Sequence, residues 1–461
     1  MKRILSLTLL MTFVLSILSA CGGMDPMELM AFNPANDDYG TPDFNGAKFY
    51  TTGGWALFET VEESKLDTID SDRKLYRTAQ IEKLLNVDLV QDNDAQSEDS
   101  SYYYTLFLAN NLKYHISPQY GTPNPVYDMY KSGMLEALEN IPAIDLTDEA
   151  FYGSANGRRA VTFEGKTYAH MGGVDEEGTD RGYLVYNDYY IDMFGVEDPQ
   201  ELYEQGKWTF ETFADMLTKV SDLSNPDKPI YAMSLYCDPQ MLPFCAVFAN
   251  GGKIVKENSN GKYVFALEDP EAMEALQWVA NLRTNCNITF DDWPCDDFKK
   301  GLSTFYLGRS FSTQNALAED SAVEEFYYIP FPYGPNGEYG VSKASYASEE
   351  GGIVFFADKD MDFVGKVFDA WLRFDDYPDD LVVDKAEYAL SNNFWSEESY
   401  AHYLSANDTT EYDYFSQIGA DLYREFTSAL QDATTGLNNF SSVFDSYRTL
   451  IQEALDASLN N

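Results

Sequence analysis

Histidine is scarce here: three in 461 residues, too few for chemistry built on imidazole clusters. The chain has no G-x-S-x-G, no H-E-x-x-H and no G-x-G-x-x-G. Those arrangements would mark a serine nucleophile, a zinc-held water or a dinucleotide fold. Gly165-Lys166-Thr167 looks like the end of a phosphate loop, but Ala160 stands where that loop needs glycine, so the stretch reads as a hairpin turn. No C-x-x-C pair is present, and no metal site or cofactor is expected. Positive charge is scarce as well: 31 Lys and Arg stand against 76 Asp and Glu, a formal charge of −45. Such a surface repels nucleic acid and anionic membranes and disfavours a strongly anionic ligand. The acidic run 91–101 lacks the glycine and spacing of a calcium loop. Past the N-terminus no stretch approaches the ~20 apolar residues of a membrane helix.

What the sequence does have begins at residue 1. Lys2 and Arg3 precede a short apolar run, then Ser19-Ala20, the pattern of a secretory signal rather than a membrane span. Leu18-Ser19-Ala20-Cys21 matches a bacterial lipobox. Residues 1–20 are therefore expected to be removed and Cys21 to be lipidated. The mature chain would lie outside the cytoplasm, anchored to the outer face of the cell membrane through acyl chains. Residues 21–44, rich in Gly, Pro, Asn and Asp, read as a flexible tether. Four further cysteines, Cys237, Cys245, Cys286 and Cys295, admit three pairings. An oxidising compartment makes disulfides plausible, and short separations favour Cys237 with Cys245 and Cys286 with Cys295.

The chain is too long for one ordinary core, so two α/β lobes are expected. Residues 47–52 and 87–90 read as strands flanking a helix that carries Leu75, Ala79, Ile81, Leu84 and Leu85. A helix over 102–112, a strand at 114–117, a loop at 118–122 holding Gln119 and Tyr120, and a helix opened by Asn124-Pro125 follow. This β-α-β-α rhythm predicts a doubly wound sheet, whose ligands bind at the carboxyl ends of the strands. Residues 172–182 form an acidic, glycine-rich loop ahead of the strand that starts at Tyr183, and we place a crossing between lobes there. Beyond it, Phe210, Phe213, Ala214, Leu217 and Val220 make one helix face, and Phe440, Val443, Phe444, Tyr447, Leu450, Ile451, Ala454 and Leu455 another. Trp208 and Trp371 sit in amphipathic helices and are assigned to packing.

Several short motifs agree in order and spacing with a known family. They are the lipobox; Gly165-Lys166-Thr167-Tyr168 followed by Leu184-Val185-Tyr186-Asn187-Asp188; and Gly206-Lys207-Trp208-Thr209 before a helix. They continue with Asn250-Gly251-Gly252-Lys253-Ile254, Asp269-Pro270-Glu271-Ala272, Pro330-Phe331-Pro332-Tyr333-Gly334-Pro335, and Gly351-Gly352-Ile353. Across about residues 45–375 the chain resembles the family 1 extracellular solute-binding proteins of ABC importers, the group of the maltose-binding protein. The resemblance implies a type II periplasmic-binding-protein fold. Its two doubly wound lobes would be joined by a hinge and would close on a ligand, a sugar or oligosaccharide. It also implies delivery to ABC permease subunits, action as a monomer, and no enzymatic activity. Lobe I would comprise 45–182 plus about 347–390, and lobe II 183–346 plus about 391–461. The loop before Ile353 departs from the best-known members by carrying Glu349 and Glu350, which bears on ligand identity.

A sugar site needs aromatic platforms for C–H faces and carboxylate, amide or guanidinium groups for hydroxyls. Candidate binding residues are Trp55, Gln119, Tyr120, Asp175, Glu176, Arg309, Phe311, Tyr346, Glu349 and Trp395. Two other readings compete: a secreted glycoside hydrolase with paired carboxylates, which 76 acids always permit, and a surface scaffold.

Overall fold

The computed structural model describes residues 42–52, 58, 69–93, 100–120, 125–153, 158, 161–171, 183–225, 227–236, 240–290, 295–308, 321–341, 350–383, 390, 394, 396–408 and 414–460. The signal segment, Cys21 and nearly all of the tether lie outside them. The strands are β1 (Ala47–Thr52), β2 (Val87–Asp92), β3 (Ile116–Tyr120), β4 (Thr162–Phe163), β5 (Lys166–Thr167), β6 (Ala169–His170), β7 (Tyr183–Asn187), β8 (Tyr231–Leu235), β9 (Val255–Glu257), β10 (Tyr263–Phe265), β11 (Ile288–Phe290), β12 (Ser303–Gly308), β13 (Phe326–Ile329) and β14 (Glu350–Phe355). The principal helices are α1 (Ile69–Leu85), α2 (Ser100–Leu108), α3 (Phe210–Leu223), α4 (Met241–Ala249), α5 (Pro270–Asn285), α6 (Met361–Leu372), α7 (Ala420–Thr434) and α8 (Phe440–Ser458).

In the first lobe β1 and β2 pair in parallel, and β14 lies between β3 and β6, antiparallel to both. The two groups meet where His115 N–H donates to Tyr50 O at 2.9 Å. Thr52 then lies against Ser117, so β1 and β3 run the same way. Side chains alternate across the sheet. Val354 and Phe356 join Tyr103, Met129 and Phe163 on one face, while Phe355 joins Phe49, Leu89, Phe368 and Trp371 on the other. Both faces are covered, as a doubly wound sheet requires. The turn at Glu164 and Gly165, both at positive φ, closes the β4–β5 hairpin.

The second lobe is a five-stranded sheet in the order β11-β8-β12-β7-β13. Every residue of β12 is buried. The apolar stripe of α3 and the inner faces of α4 and α5 share its core. The C-terminal helices join the same core, with the Phe265 ring 5.7 Å from Phe426 and 5.7 Å from Phe444. Leu450 alone leaves the expected α8 stripe and is half exposed.

Three of the sequence motifs converge in this lobe. Trp208 Nε1 donates to Pro330 O at 2.7 Å, and Phe210 N to Tyr333 O at 2.9 Å. Gly334 N donates to Ala249 O at 3.0 Å, and Asn336 N to Asn250 Oδ1 at 3.0 Å. The proline-rich turn is thus stapled to the start of α3 and the end of α4.

Three expectations change. The helix expected over 102–112 stops at Leu108, because Asn110 turns left-handed at φ 52° and its N–H bonds back to Phe107. Gln119 and Tyr120 lie in a strand, not a loop, because β14 pairs with them from far along the chain. Neither favoured disulfide forms: Cys245 and Cys286 are free thiols. Cys245 is enclosed in α4, with burial pushing its thiol up to about 12. Cys286 ends α5 with its sulfur 3.6 Å from Thr218 Oγ1. Cys295 is buried, and Cys237 lies outside the described residues.

Candidate functional site

In the first lobe β1, β2, β3 and β6 all point their carboxyl ends to one edge, and β14 enters there at Glu350. In the second lobe β8, β11, β12 and β13 end at one edge, where β7 begins at Tyr183. The chain therefore leaves the carboxyl edge of the first sheet after His170 and enters the second sheet at its own carboxyl edge. It makes the return trip between Ile329 and Glu350 in the same sense. Both connections tie together the edges at which α/β sheets bind ligands.

A buried polar cluster fills the first of these edges. Thr52 Oγ1 lies 2.6 Å from Ser117 Oγ. The Tyr103 hydroxyl donates to Thr52 Oγ1 at 3.2 Å and lies 3.0 Å from Ser117 Oγ. Gln119 Nε2 donates to Ser117 Oγ at 2.7 Å. Thr52, Tyr103, Ser117 and Gln119 are all fully buried. The geometry follows from the strands: Ser117 and Gln119 are two residues apart on β3 and so share a face, beside the last residue of β1. Burial pushes the Tyr103 phenol up, while its bonds to Ser117, Thr52 and Gln119 pull the other way, so it is a neutral O–H donor. Gln119 Oε1 is buried with no hydrogen-bond partner.

Of the ten candidates, Gln119 and Tyr120 fall here, adjacent on β3, with the Tyr120 backbone opposite Glu350. Trp55, Asp175, Glu176, Arg309, Phe311, Tyr346, Glu349 and Trp395 lie outside the described residues. Thr52, Tyr103 and Ser117 escaped the sequence reading. Their signal was available: two hydroxyl residues at the carboxyl ends of predicted strands, where a core strand ordinarily ends in apolar side chains. Among the described residues no group of three or more His, Cys, Asp or Glu side chains could hold a metal ion.

His170 sits just before the first crossing and is not part of the cluster. Its Nε2 is 2.8 Å from Phe151 O, and its ring meets Phe368 and Tyr152 edge-on. Burial first, then the Arg158 charge, lowers its pKa from 6.5 to about 4. The unfolded chain thus binds a proton that the folded chain refuses between those values. Stability from this residue is complete above pH 6.5 and is lost as pH falls to 4, by about 3 kcal/mol at most. Urea midpoints at pH 7 and pH 4.5 should differ, and His170→Gln should shrink the difference, leaving the share of His115, whose pKa burial likewise lowers to about 4. An unchanged slope in the variant would contradict the assignment.

No family model matches the chain, and no curated relative matches it in sequence. Solved structures do match. The cyclic α-maltosyl-1,6-maltose binding protein of Arthrobacter globiformis aligns with a TM-score of 0.62 at 15% identity, over 89% of this chain and 100% of its own. UgpB of Mycobacterium tuberculosis, in complex with glycerophosphocholine, aligns at 0.60 and 13%, over 89% and 99%. The galacto-N-biose-/lacto-N-biose I-binding protein of an ABC transporter from Bifidobacterium longum aligns at 0.58 and 12%, over 90% and 98%. The fold is the two-lobed α/β architecture of maltose-binding-protein-like solute-binding proteins.

Proposed function

We propose that this chain is the substrate-binding lipoprotein of an ABC importer, which captures a neutral polyhydroxylated solute, a sugar or oligosaccharide, between two closing lobes. The observation that carries the reading is the match to binding proteins of one architecture over nine-tenths of the chain, joined to two sheet edges linked by the crossings after His170 and after Ile329. A ligand that touches both lobes prefers the closed state, and that differential affinity alone drives closure. No covalent step and no cofactor is needed, and in this reading the protein is not an enzyme. UgpB, of the same fold, was solved with glycerophosphocholine, so architecture alone does not select a sugar; the aromatic content of 15% permits one, and the acidic balance weighs against an anion while leaving a cationic solute open.

In this reading lobe I is 45–182 plus about 347–390 and lobe II is 183–346 plus about 391–461. Cys21 carries the acyl anchor on the outer face of the membrane, residues 21–44 give the monomer its reach, and permease subunits take the solute. Trp55 and Tyr120 face the ligand from the first lobe with Gln119. Asp175 and Glu176 reach it from the crossing loop. Arg309, Phe311, Tyr346, Glu349 and Trp395 complete the cleft.

The test is calorimetry and thermal unfolding of the mature chain against maltose, maltotriose, lacto-N-biose, ribitol and glycerophosphocholine, with chromatography of each ligand afterwards. At a hundredfold excess over Kd a true ligand should stabilise the fold by about 2.7 kcal/mol and be recovered intact. Consumption of a glycoside would replace this reading with a hydrolase. Silence across the panel would point to a scaffold.

A further inference from the structure

The hydroxyls of Thr52, Tyr103 and Ser117 form a closed ring. Tyr103 donates to Thr52. Thr52 has its remaining short contact with Ser117, at 2.6 Å, and gives its proton there. Ser117 then has two acceptors for its proton, the Tyr103 oxygen at 3.0 Å and Pro118 O at 3.2 Å. Each hydroxyl donates once, and each has an acceptor within the protein. With its proton given to one of those two oxygens, Ser117 meets Gln119 as an acceptor, and the amide group that faces it is the donor. That requirement turns the Gln119 nitrogen toward Ser117, at 2.7 Å, and its carbonyl oxygen away. The amide orientation is therefore set by the ring. A full ring is also what leaves Oε1 without a partner inside the protein.

An unpaired carbonyl oxygen in a dry interior is costly, and buried acceptors are rarely left so. This one is carried by the penultimate residue of β3, at the carboxyl edge of the sheet. Its register partner on β14 is Gly352, which contributes no side chain to the edge.

We propose that Gln119 Oε1 accepts a hydrogen bond from one hydroxyl of the bound solute, and that the ring of Thr52, Tyr103 and Ser117 is the positioning device that keeps it an acceptor. The proposal rests on the binding-protein reading and narrows its ligand class. The group that docks here must carry a proton to give: an alcohol of a sugar or polyol satisfies the atom, and an ionised phosphate or carboxylate oxygen does not. Tyr103 and Thr52 touch no ligand and act only through Ser117 and Gln119.

The experiment titrates the mature chain, Gln119→Met and Tyr103→Phe with maltose, maltotriose, lacto-N-biose, ribitol and the single-deoxy analogues of whichever binds. In the wild type one deoxy position should cost roughly ten- to hundredfold in affinity, the penalty for leaving a buried acceptor unpaired. The same deletion should cost Gln119→Met nothing. Tyr103→Phe should shrink the penalty, because Ser117 loses one of its two acceptors and can turn its proton to the amide; a purely structural tyrosine would lower stability and leave the penalty whole. A ligand-bound crystal structure should place a solute hydroxyl against Oε1, and this readout stands even if a variant fails to fold. A deoxy series with no sensitive position, an equal penalty in Gln119→Met, or an ordered water at Oε1 in the ligand-bound crystal overturns the proposal while the binding function stands. If no compound binds the wild type, the binding-protein reading fails and takes this one with it.

Discussion

Replacing Gly352 with valine is expected to destabilise the fold by at least about 3 kcal/mol and to abolish solute binding. Gly352 lies at φ 67°, in the left-handed region that a β-branched residue avoids. It also lies at a register shift, where β14 bulges between Glu350 and Gly352 against β3. A Cβ there would be driven into the His170 carbonyl oxygen and would come within 2.8 Å of Met171 Sδ. Relief would have to come from parting β14 from β6, which breaks the pairing of Ile353 with His170. Because β14 feeds Phe355 to one core and Val354 and Phe356 to the other, both packed faces would suffer. The partner of Gly352 across the ladder is Gln119, so the strain also reaches the buried cluster. Urea unfolding and calorimetry of the variant provide the check; stability within 1 kcal/mol of wild type (well below that ~3 kcal/mol strain estimate) would mean the bulge is not needed.

Trp208→Ala should lose about 3–5 kcal/mol, the usual range for deleting a large buried aromatic. Its side chain is fully enclosed and meets Phe213 edge-on at 5.3 Å. Its indole N–H is the donor to Pro330 O at 2.7 Å, and its backbone N–H meets the Tyr339 hydroxyl at 3.2 Å. Removal opens a cavity and also leaves the Pro330 carbonyl unpaired in the core, two costs with separate origins. Trp208→Phe separates them, since it keeps most of the volume and loses only the donor. Equilibrium denaturation should rank wild type above Trp208→Phe above Trp208→Ala. A Trp208→Phe variant as unstable as the alanine would assign the whole effect to the hydrogen bond.

Trp208 also explains why the second lobe was readable at all. The motifs around residues 206–209, 250–254 and 330–335 each carry little information alone. In the fold they are one stapled unit, and a unit that must pair specific carbonyls with specific donors constrains its residues together. Periodicity served equally well for β2 and α3, where one face is buried and the pattern has to be kept; in α1 it found Ile81 and Leu85 but missed the buried Arg77, Thr78 and Gln80. It failed at β3. Pro118 breaks the look of a strand in sequence, yet in the sheet it lies opposite Ile353, a residue no local window contains. The end of α2 was misplaced for a similar reason: Leu112 is buried and continued the apolar pattern past the left-handed turn at Asn110.

The candidate site was legible only where strands present it. Gln119 was picked for its residue type and turned out to be held through Ser117 by Thr52 and Tyr103, neither of which is near it in sequence. Such a ring is invisible to any reading that treats segments one at a time, because its members come from β1, α2 and β3. The remaining candidates lie outside the described residues, and in the sequence residue type is the only clue to them, with no period to constrain it.

The central claim is that two lobes close on a solute that is not consumed. Small-angle scattering of the mature chain tests it most directly, titrated with whichever of maltose, maltotriose, lacto-N-biose or ribitol gives heat in the calorimeter. The radius of gyration should fall and saturate at the calorimetric stoichiometry, with the ligand recovered unchanged. A scattering curve that stays the same at saturating ligand would contradict closure.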